Sequence, residues 1–408
     1  MTPPSLPNPH PVGSPLGGHS SLQFEALPPL SLYIHVPWCV RKCPYCDFNS
    51  HEVRGELPAD EYVAALLRDL EMTLPQLWGR PVLSVFIGGG TPSLLPARAL
   101  DVLLSGVRAR LPLAADAEVT LEANPGTVEA EKFAGFRAAG VNRLSLGIQS
   151  FNDRHLKALG RIHDATDAHR AAELALATFD NVNLDLMYGL PGQTLDEAEA
   201  DIAAAMTLAP QHLSAYHLTL EPNTYFHRYP PALPDDDAAA AMQEAVEARL
   251  TAAGYEHYET SAFARAGRRS RHNLNYWMFG DYAAIGAGAH SKISFKNNIL
   301  REFRPRQPKT YLAQAGLAGS AEQTAVAVAD LPVEFMMNAL RLNAGFELAL
   351  YPARTGLPLT TVLESLARAE TRGLVERDHR RVTPTLQGRR FLNDLISIFL
   401  PEKPHNSR

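Results

Sequence analysis

Cysteine is nearly absent from this sequence: there are three in 408 residues, all between positions 39 and 46. So few cannot build a disulfide framework, and their clustering suits a reducing compartment. Long apolar runs are missing as well, and none reaches the ~18–20 residues that a membrane span needs. Neither sign of charge dominates. A formal net charge of −6 gives no reason to expect nucleic acid as the main partner. No basic residue precedes Arg41, so the start shows neither a charged n-region nor an Arg-rich transit pattern. Residues 1–28, rich in Pro, Gly and Ser, are expected to form a disordered leader, and the protein is expected to be cytoplasmic.

What is present alternates between two periods. Short apolar runs at 32–36, 82–88, 118–124, 143–149, 182–189 and 212–220 read as buried strands. Between them lie stretches with helical spacing. Val63, Leu66, Leu67, Leu70 and Leu74 form one face, and 96–111, 129–139, 152–178 and 194–208 supply the others. Repeated βα alternation predicts an α/β fold, a parallel sheet with helices outside it. Six units fall short of an eight-fold barrel. A partial six-stranded barrel or an open doubly wound sheet is left. In both, function gathers where the carboxyl ends of the strands point. The polar motifs fall there: the cysteine run, "GGGTP" (88–92), "EANP" (122–125), "GIQS" (147–150) and "DLMYGLPG" (185–192). "YPPALPDDD" (229–237) reads as a linker before an Ala-rich helix. The last stretch has the outline of a winged helix, and the acidic chain favours a packing module over a DNA-binding one.

The cysteines stand in "CVRKCPYC", spaced C-x3-C-x2-C. Three thiolates this close suit a metal or a cluster. His51 extends the spacing to C-x3-C-x2-C-x4-H, a Cys3His zinc pattern. The rival is a [4Fe–4S] cluster with one iron left open, since the sequence offers no fourth cysteine. The position of the run, after the first strand and facing a glycine-rich loop, favours the cluster with a small ligand beside it.

At these residues the sequence resembles the radical S-adenosylmethionine (SAM) family. Tyr45 supplies the aromatic before the last cysteine, and "YIHVPWC", "GGGTPS", "LGIQSF" and "DLMYGLPGQT" are similar to one branch of it. That branch holds oxygen-independent coproporphyrinogen III dehydrogenase and heme chaperones. The resemblance spans roughly residues 30–400. It implies a partial (β/α)6 barrel over 29–229, a linker helix and mixed region over 230–325, and a winged-helix-like module over 326–408. It implies that Cys39, Cys43 and Cys46 hold three irons of a [4Fe–4S] cluster and that SAM chelates the fourth. Tyr33, Gly89, Gly90, Thr91, Glu122, Gln149, Arg161 and Asp185 match family positions that contact SAM. Their types suit such a ligand. Glycine lets backbone approach closely, Arg161 can pair with a carboxylate, and Glu122 or Asp185 can accept from an amine or a ribose hydroxyl.

Two features separate the members of that branch. The dehydrogenases continue with a further cysteine where this sequence has Phe48, and they carry a longer segment before the cysteines. "HNLNYW" (272–277) resembles the HNxxYW motif that accompanies heme binding in the chaperones. His272 is then a candidate axial ligand, Asn273 completes the motif, and Tyr276 and Trp277 offer flat apolar surface. Arg268, Arg269 and Arg271 are candidates to meet propionates, and His290 competes with His272. The resemblance thus implies a heme chaperone with a [4Fe–4S] cluster, SAM and heme, and no catalytic residue is assigned. Its implied partners are heme, an acceptor protein and an electron donor, with transient membrane contact; nucleic acid is not expected. Oxidative decarboxylation of coproporphyrinogen III and a zinc-stabilised non-enzymatic domain are the alternatives.

Overall fold

The computed structural model describes residues 22–77, 79–127 and 130–401, so most of the expected leader, residues 1–21, lies outside the described residues. Six parallel strands lie side by side in chain order: β1 (Leu30–Val36), β2 (Val82–Gly89), β3 (Leu113–Ala123), β4 (Arg143–Gln149), β5 (Val182–Tyr188) and β6 (His212–His217). The intervening helices are α1 (Ala59–Leu77), α2 (Ala97–Arg110), α3 (Ala130–Ala139), α4 (Asp153–Ala158), α5 (Ala165–Thr178) and α6 (Leu195–Leu208). Alternate strand residues such as Leu32, Ile34, Val85, Ile87, Leu144 and Leu146 pack on those helices in one core. Several of the residues that face the other way are polar and bond one another inside the barrel. Ser84 Oγ donates to Ser31 Oγ (2.8 Å), and Asn183 Nδ2 donates to Ser145 Oγ (2.8 Å).

One expected helical stretch, 152–178, is two helices. Gly160 sits at φ +68°, a left-handed conformation that ends α4, and Arg161 falls in the turn before α5.

The sheet does not stop at six strands. After α7 (Tyr225–Arg228) and α8 (Asp236–Ala252), β7 (Glu256–Glu259) and β8 (Ala262–Ala264) add antiparallel pairing beyond β6. Helix α9 (Arg271–Trp277) follows, and β9 (Asp281–Ile285) returns to the other flank of β1 as a further parallel strand. β10 (His290–Ser294), β11 (Ile299–Phe303) and β12 (Glu322–Ala325) continue antiparallel, making a 12-stranded sheet. "DYAAI" carries no strong strand signal, being short and Ala-rich; its pairing with β1 makes it a strand.

Helix α9 closes the amino-terminal end of the barrel. The backbone N–H groups of Arg271 and His272 donate to the two oxygens of Glu118 (3.2 and 3.1 Å), and Asn275 Nδ2 donates to Ser31 Oγ and to the Asp281 carbonyl (2.9 Å each). Asp281 is fully buried and binds Arg80 (2.8 Å), Lys292 (3.3 Å) and Ser294 Oγ (2.8 Å).

The C-terminal region builds its own core from Phe335, Met336, Tyr351, Leu366 and Val382 among others. It comprises α11 (Leu331–Ala339), α12 (Leu350–Thr355), α13 (Leu363–Thr371), α14 (Leu386–Arg390) and α15 (Leu392–Ser397), which follow α10 (Pro308–Gln314), with a 3-stranded sheet. Residues 22–24 of the expected leader are placed on it, and Pro28 reaches Arg80 beside β1. Leu22 is buried in that core with Phe24 packed against it, and the Gln23 N–H donates to the Gly356 carbonyl (3.0 Å). No helix among the described residues is long and apolar enough to cross a membrane.

Removing Asp281 leaves the buried Lys292 ammonium without its counter-ion. We expect Asp281→Ala to lower stability by about 3–5 kcal/mol. Urea unfolding followed by circular dichroism measures it, and a loss below about 1 kcal/mol would contradict the role assigned to this cluster.

Candidate functional site

The three cysteines lie in a loop that leaves the carboxyl end of β1. Trp38–Cys39 pairs with His51–Glu52, closing the loop at its base. Asn49 Nδ2 anchors it to the carbonyls of Ala287 and Arg306 (2.9 Å each), and the Phe226 N–H anchors it to the Pro44 carbonyl (3.0 Å). Cys39 is buried, and Cys43 and Cys46 are partly exposed. Burial, together with the neighbouring cysteines, pushes the Cys39 and Cys46 thiols up. The loop thus gathers sulfur donors that need positive charge to ionise.

The residues of the Cys3His zinc pattern are not gathered at one point. Among the described residues, no group of three His, Cys, Asp or Glu side chains converges as a single ion requires. His51 turns its Nε2 to the Arg306 carbonyl (3.3 Å).

Arg161 joins the loop to the strand ends. It donates to Cys43 Sγ (3.6 Å), to the Gly147 carbonyl (2.9 Å) and to Asn124 Oδ1, while Asn124 Nδ2 donates to Thr91 Oγ1 (3.0 Å). Burial works against its charge, but Tyr45 and Cys43 beside it hold the guanidinium protonated. A small cavity of about 30 Å³ lies between Cys43, Thr91, Asn124 and Arg161.

The glycine turn is tight for a reason. At Gly89 (φ +119°) a Cβ would lie 2.6 Å from the His35 ring, and at Gly90 it would lie 2.5 Å from the Trp38 carbonyl oxygen. The Gly89 N–H donates to Glu122 Oε2 (3.0 Å). Burial, and then the nearby Asp185, push Glu122 up to about 8. Burial also raises Asp185, which accepts from Ser145 Oγ (2.9 Å) and Asn183 Nδ2 (2.8 Å). Gln149 adopts φ +69° at a bulge of β4, which brings its amide beside Gly147 and Arg161. Tyr33 donates to His35 Nδ1 (3.0 Å), whose Nε2 donates to the Asn49 carbonyl (2.8 Å). Of the eight residues expected around SAM, Gly89, Gly90, Thr91, Gln149 and Arg161 lie at or beyond the strand ends. Tyr33, Glu122 and Asp185 lie on the strands, Tyr33 as deep as the His272 ring (6.4 Å).

The HNxxYW residues divide along α9. In its first turn His272 is buried: Nδ1 meets Ser84 Oγ (3.1 Å), and the rings of Phe86 and Tyr33 lie 5.0 and 6.4 Å away. Burial, then Arg143, push its imidazole down to about 3. One turn later Tyr276 and Trp277 emerge into an outside cleft, while Asn273 caps on Ser270 through its N–H (3.3 Å). Arg269 and Arg271 are held by Glu256 and by Asp116 (2.9 Å), so these exposed arginines are engaged with carboxylates. His290 lies at the cysteine end, edge-on to Phe303.

Comparison with known proteins agrees with this geometry. Residues 33–205 match the radical SAM superfamily and 326–391 match the HemN C-terminal domain. The heme chaperone HemW of Escherichia coli is 51% identical over 92% of this chain and 99% of its own, and that of Bacillus subtilis is 35% identical over 91% and 99%. The chain belongs to the HemW family of radical SAM proteins. Coproporphyrinogen III oxidase (HemN) of Escherichia coli superimposes with a TM-score of 0.77 at 26% identity, covering 91% of this chain and 90% of that one.

Membership of the radical SAM family implies a [4Fe–4S] cluster and SAM. The residues fit both: a loop of thiols, a glycine cradle that a Cβ would fill, and two carboxyls, Glu122 and Asp185, raised by desolvation. Sequence reasoning missed Asn124, which couples Arg161 to Thr91, and Asn49, which pins the cysteine loop. The "EANP" motif held a signal for the first; Asn49 had none.

The Glu122 shift predicts a pH effect in the protein without SAM. A carboxyl with a folded pKa raised to about 8 binds its proton more tightly when folded. Its contribution is therefore full below the unfolded value and is lost as pH rises through about 8. Glu122→Gln should match the wild type in urea midpoint near pH 4.5 and exceed it at pH 8. A constant difference across that range would refute the assignment.

Proposed function

We propose that this protein is a heme chaperone, binding heme and passing it to an acceptor protein. What supports the reading is similarity to HemW chaperones along nearly the whole chain, at 51% identity to that of Escherichia coli. In this reading Cys39, Cys43 and Cys46 hold the cluster. Gly89, Gly90, Thr91, Gln149 and Arg161 meet the amino acid head of SAM, with Arg161 on its carboxylate. Glu122 and Asp185 balance the positive charge of the ligand, and Tyr33 lines the interior below them. When bound, the cluster supplies redox capacity and an open iron for the SAM head group. The chain's own part is to exclude water with α9 at the base, to orient Tyr33 through His35, and to hold Arg161 charged beside the sulfurs.

Heme contact falls to α9. Tyr276 and Trp277 offer the aromatic surface, with Asn273 beside them, and His272 and His290 are the imidazoles to test as axial ligands. The protein works in a reducing cytoplasm, takes electrons from a donor, and meets a membrane only in transit.

The second reading, coproporphyrinogen III dehydrogenation, draws on the likeness to HemN. Phe48 argues against it: it stands where the dehydrogenase pattern has a further cysteine, and its ring is exposed on the cysteine loop.

Anaerobic reconstitution with iron and sulfide, followed by heme titration, tests the proposal. The wild type should take up a [4Fe–4S] cluster whose reduced EPR signal changes on adding SAM. Cys39→Ala, Cys43→Ala or Cys46→Ala should each abolish the cluster and keep heme binding. His272→Ala should shift the Soret band if its imidazole is the axial ligand, and His290→Ala should do so otherwise. Incubation with coproporphyrinogen III, SAM and reductant should yield no protoporphyrinogen. Its formation would overturn the chaperone reading in favour of the enzyme, and stoichiometric zinc without iron would overturn both.

A further inference from the structure

Beyond the barrel, the last turn of α9 borders a cleft that the sequence motif does not announce. Trp277 and Tyr276 wall it on one side. Tyr282 of β9 stacks on Tyr276 with ring centroids 4.7 Å apart, and Met337 and Arg341 close it from the C-terminal region. The cleft holds about 290 Å³ and is open to solvent, room for the edge of a large aromatic ligand rather than for the whole of it.

Three cations border this cleft, and two are already matched. Lys292 meets Asp281 (3.3 Å) and the carbonyls of Phe279 and Gly280. Arg301 meets Glu334 (2.6 Å) and Tyr282 Oη (3.3 Å). Arg341 differs. Its guanidinium carbon lies 4.4 Å from the centre of the Trp277 ring, a cation–π contact. Its acidic neighbour Glu259 is 4.0 Å away, at the limit of an ion pair. Burial pushes Glu259 up to about 7, so at neutral pH that carboxyl is in part uncharged. Arg341 Nε and Trp277 Nε1 are both buried with no hydrogen-bond partner in the structure. Buried donors are normally paired. Here two unpaired donors and a weakly balanced cation share one aromatic wall.

We propose that this cleft is the carboxylate subsite for heme: Trp277 and Tyr276 cover the porphyrin edge, and Arg341 receives a propionate. The proposal rests on the chaperone reading above. It gives the two turns of α9 separate work, the first filling the barrel base and the last facing the ligand. It also moves propionate recognition from the arginines at and just before the start of α9 to one that follows α11, so the C-terminal region becomes part of the heme site. Arginine suits this place because its flat guanidinium stacks on indole while its edge still donates to a carboxylate.

The test is a titration of the full-length protein with heme and with heme dimethyl ester, which lacks the carboxylates, in the wild type and in Arg341→Gln, Arg341→Lys and Trp277→Ala. Soret absorbance reports binding and circular dichroism reports folding. The wild type should bind heme about tenfold or more tightly than the diester, the factor expected of one charge-assisted hydrogen bond. Arg341→Gln should erase most of that preference while leaving diester affinity unchanged. Arg341→Lys, which keeps the charge, should retain part of the preference and serves as the measurement if the glutamine variant fails to fold. Trp277→Ala should weaken both ligands. Equal wild-type affinity for the two, or an undiminished preference in the folded Arg341 variants, would overturn the subsite and leave the chaperone reading standing. A wild type that binds no heme would overturn the chaperone reading itself.

Discussion

Two backbone N–H groups, those of Arg271 and His272, end on the single carboxylate of Glu118, and the base of the barrel is assembled around that junction. The start of a helix carries unpaired N–H groups and partial positive charge. Placed at the base of the barrel without an acceptor, those groups would cost several kcal/mol. Glu118 supplies the acceptor and the opposite charge together. With α9 seated on it, Asn275 reaches Ser31 and the Asp281 carbonyl, and the chain turns directly into β9. The pairing of β9 with β1, and every strand beyond it, follows from that placement.

The other end of the barrel has a different electrostatic character. It collects groups that want positive charge: thiols in one loop and two carboxyls, Glu122 and Asp185, facing each other inside. One half-buried arginine, Arg161, is held among them by bonds to Cys43, Gly147 and Asn124. Such a site is built to be completed. Its carboxyls are raised by desolvation, Glu122 by the neighbouring Asp185 as well, and Arg143 offsets only part of this at Asp185. A ligand carrying both signs of charge answers both ends of that imbalance.

The βα rhythm was legible in the sequence because each strand and each helix repeats its own period over enough residues to be read. The cysteine loop and the residues expected around SAM were legible through motifs and through resemblance. Asn124 and Asn49 were hidden because their importance lies in partners far away in the chain, Arg161 for one and Ala287 and Arg306 for the other. The unity of "HNLNYW" was misleading for a geometric reason. Six contiguous residues suggest one site, yet a helix that runs out of a barrel puts its first turn in the dry interior and its last at the border of an outside cleft. His272 and Trp277 therefore meet different surroundings although they share one short helix.

The placement of β1 carries a consequence for the order of events as the chain is made. β1 leads into the cysteine loop, and its two neighbours are β2 and β9. The first arrives early, but the second comes from residues 281–285, after all the βα units have been made. Until then β1 presents one raw edge, with its ladder donors and acceptors unpaired. The same holds for the Asn49 anchor, whose acceptors at 287 and 306 emerge later still. During vectorial synthesis the sulfur-bearing loop thus stays untethered on one side until about three quarters of the chain has left the ribosome.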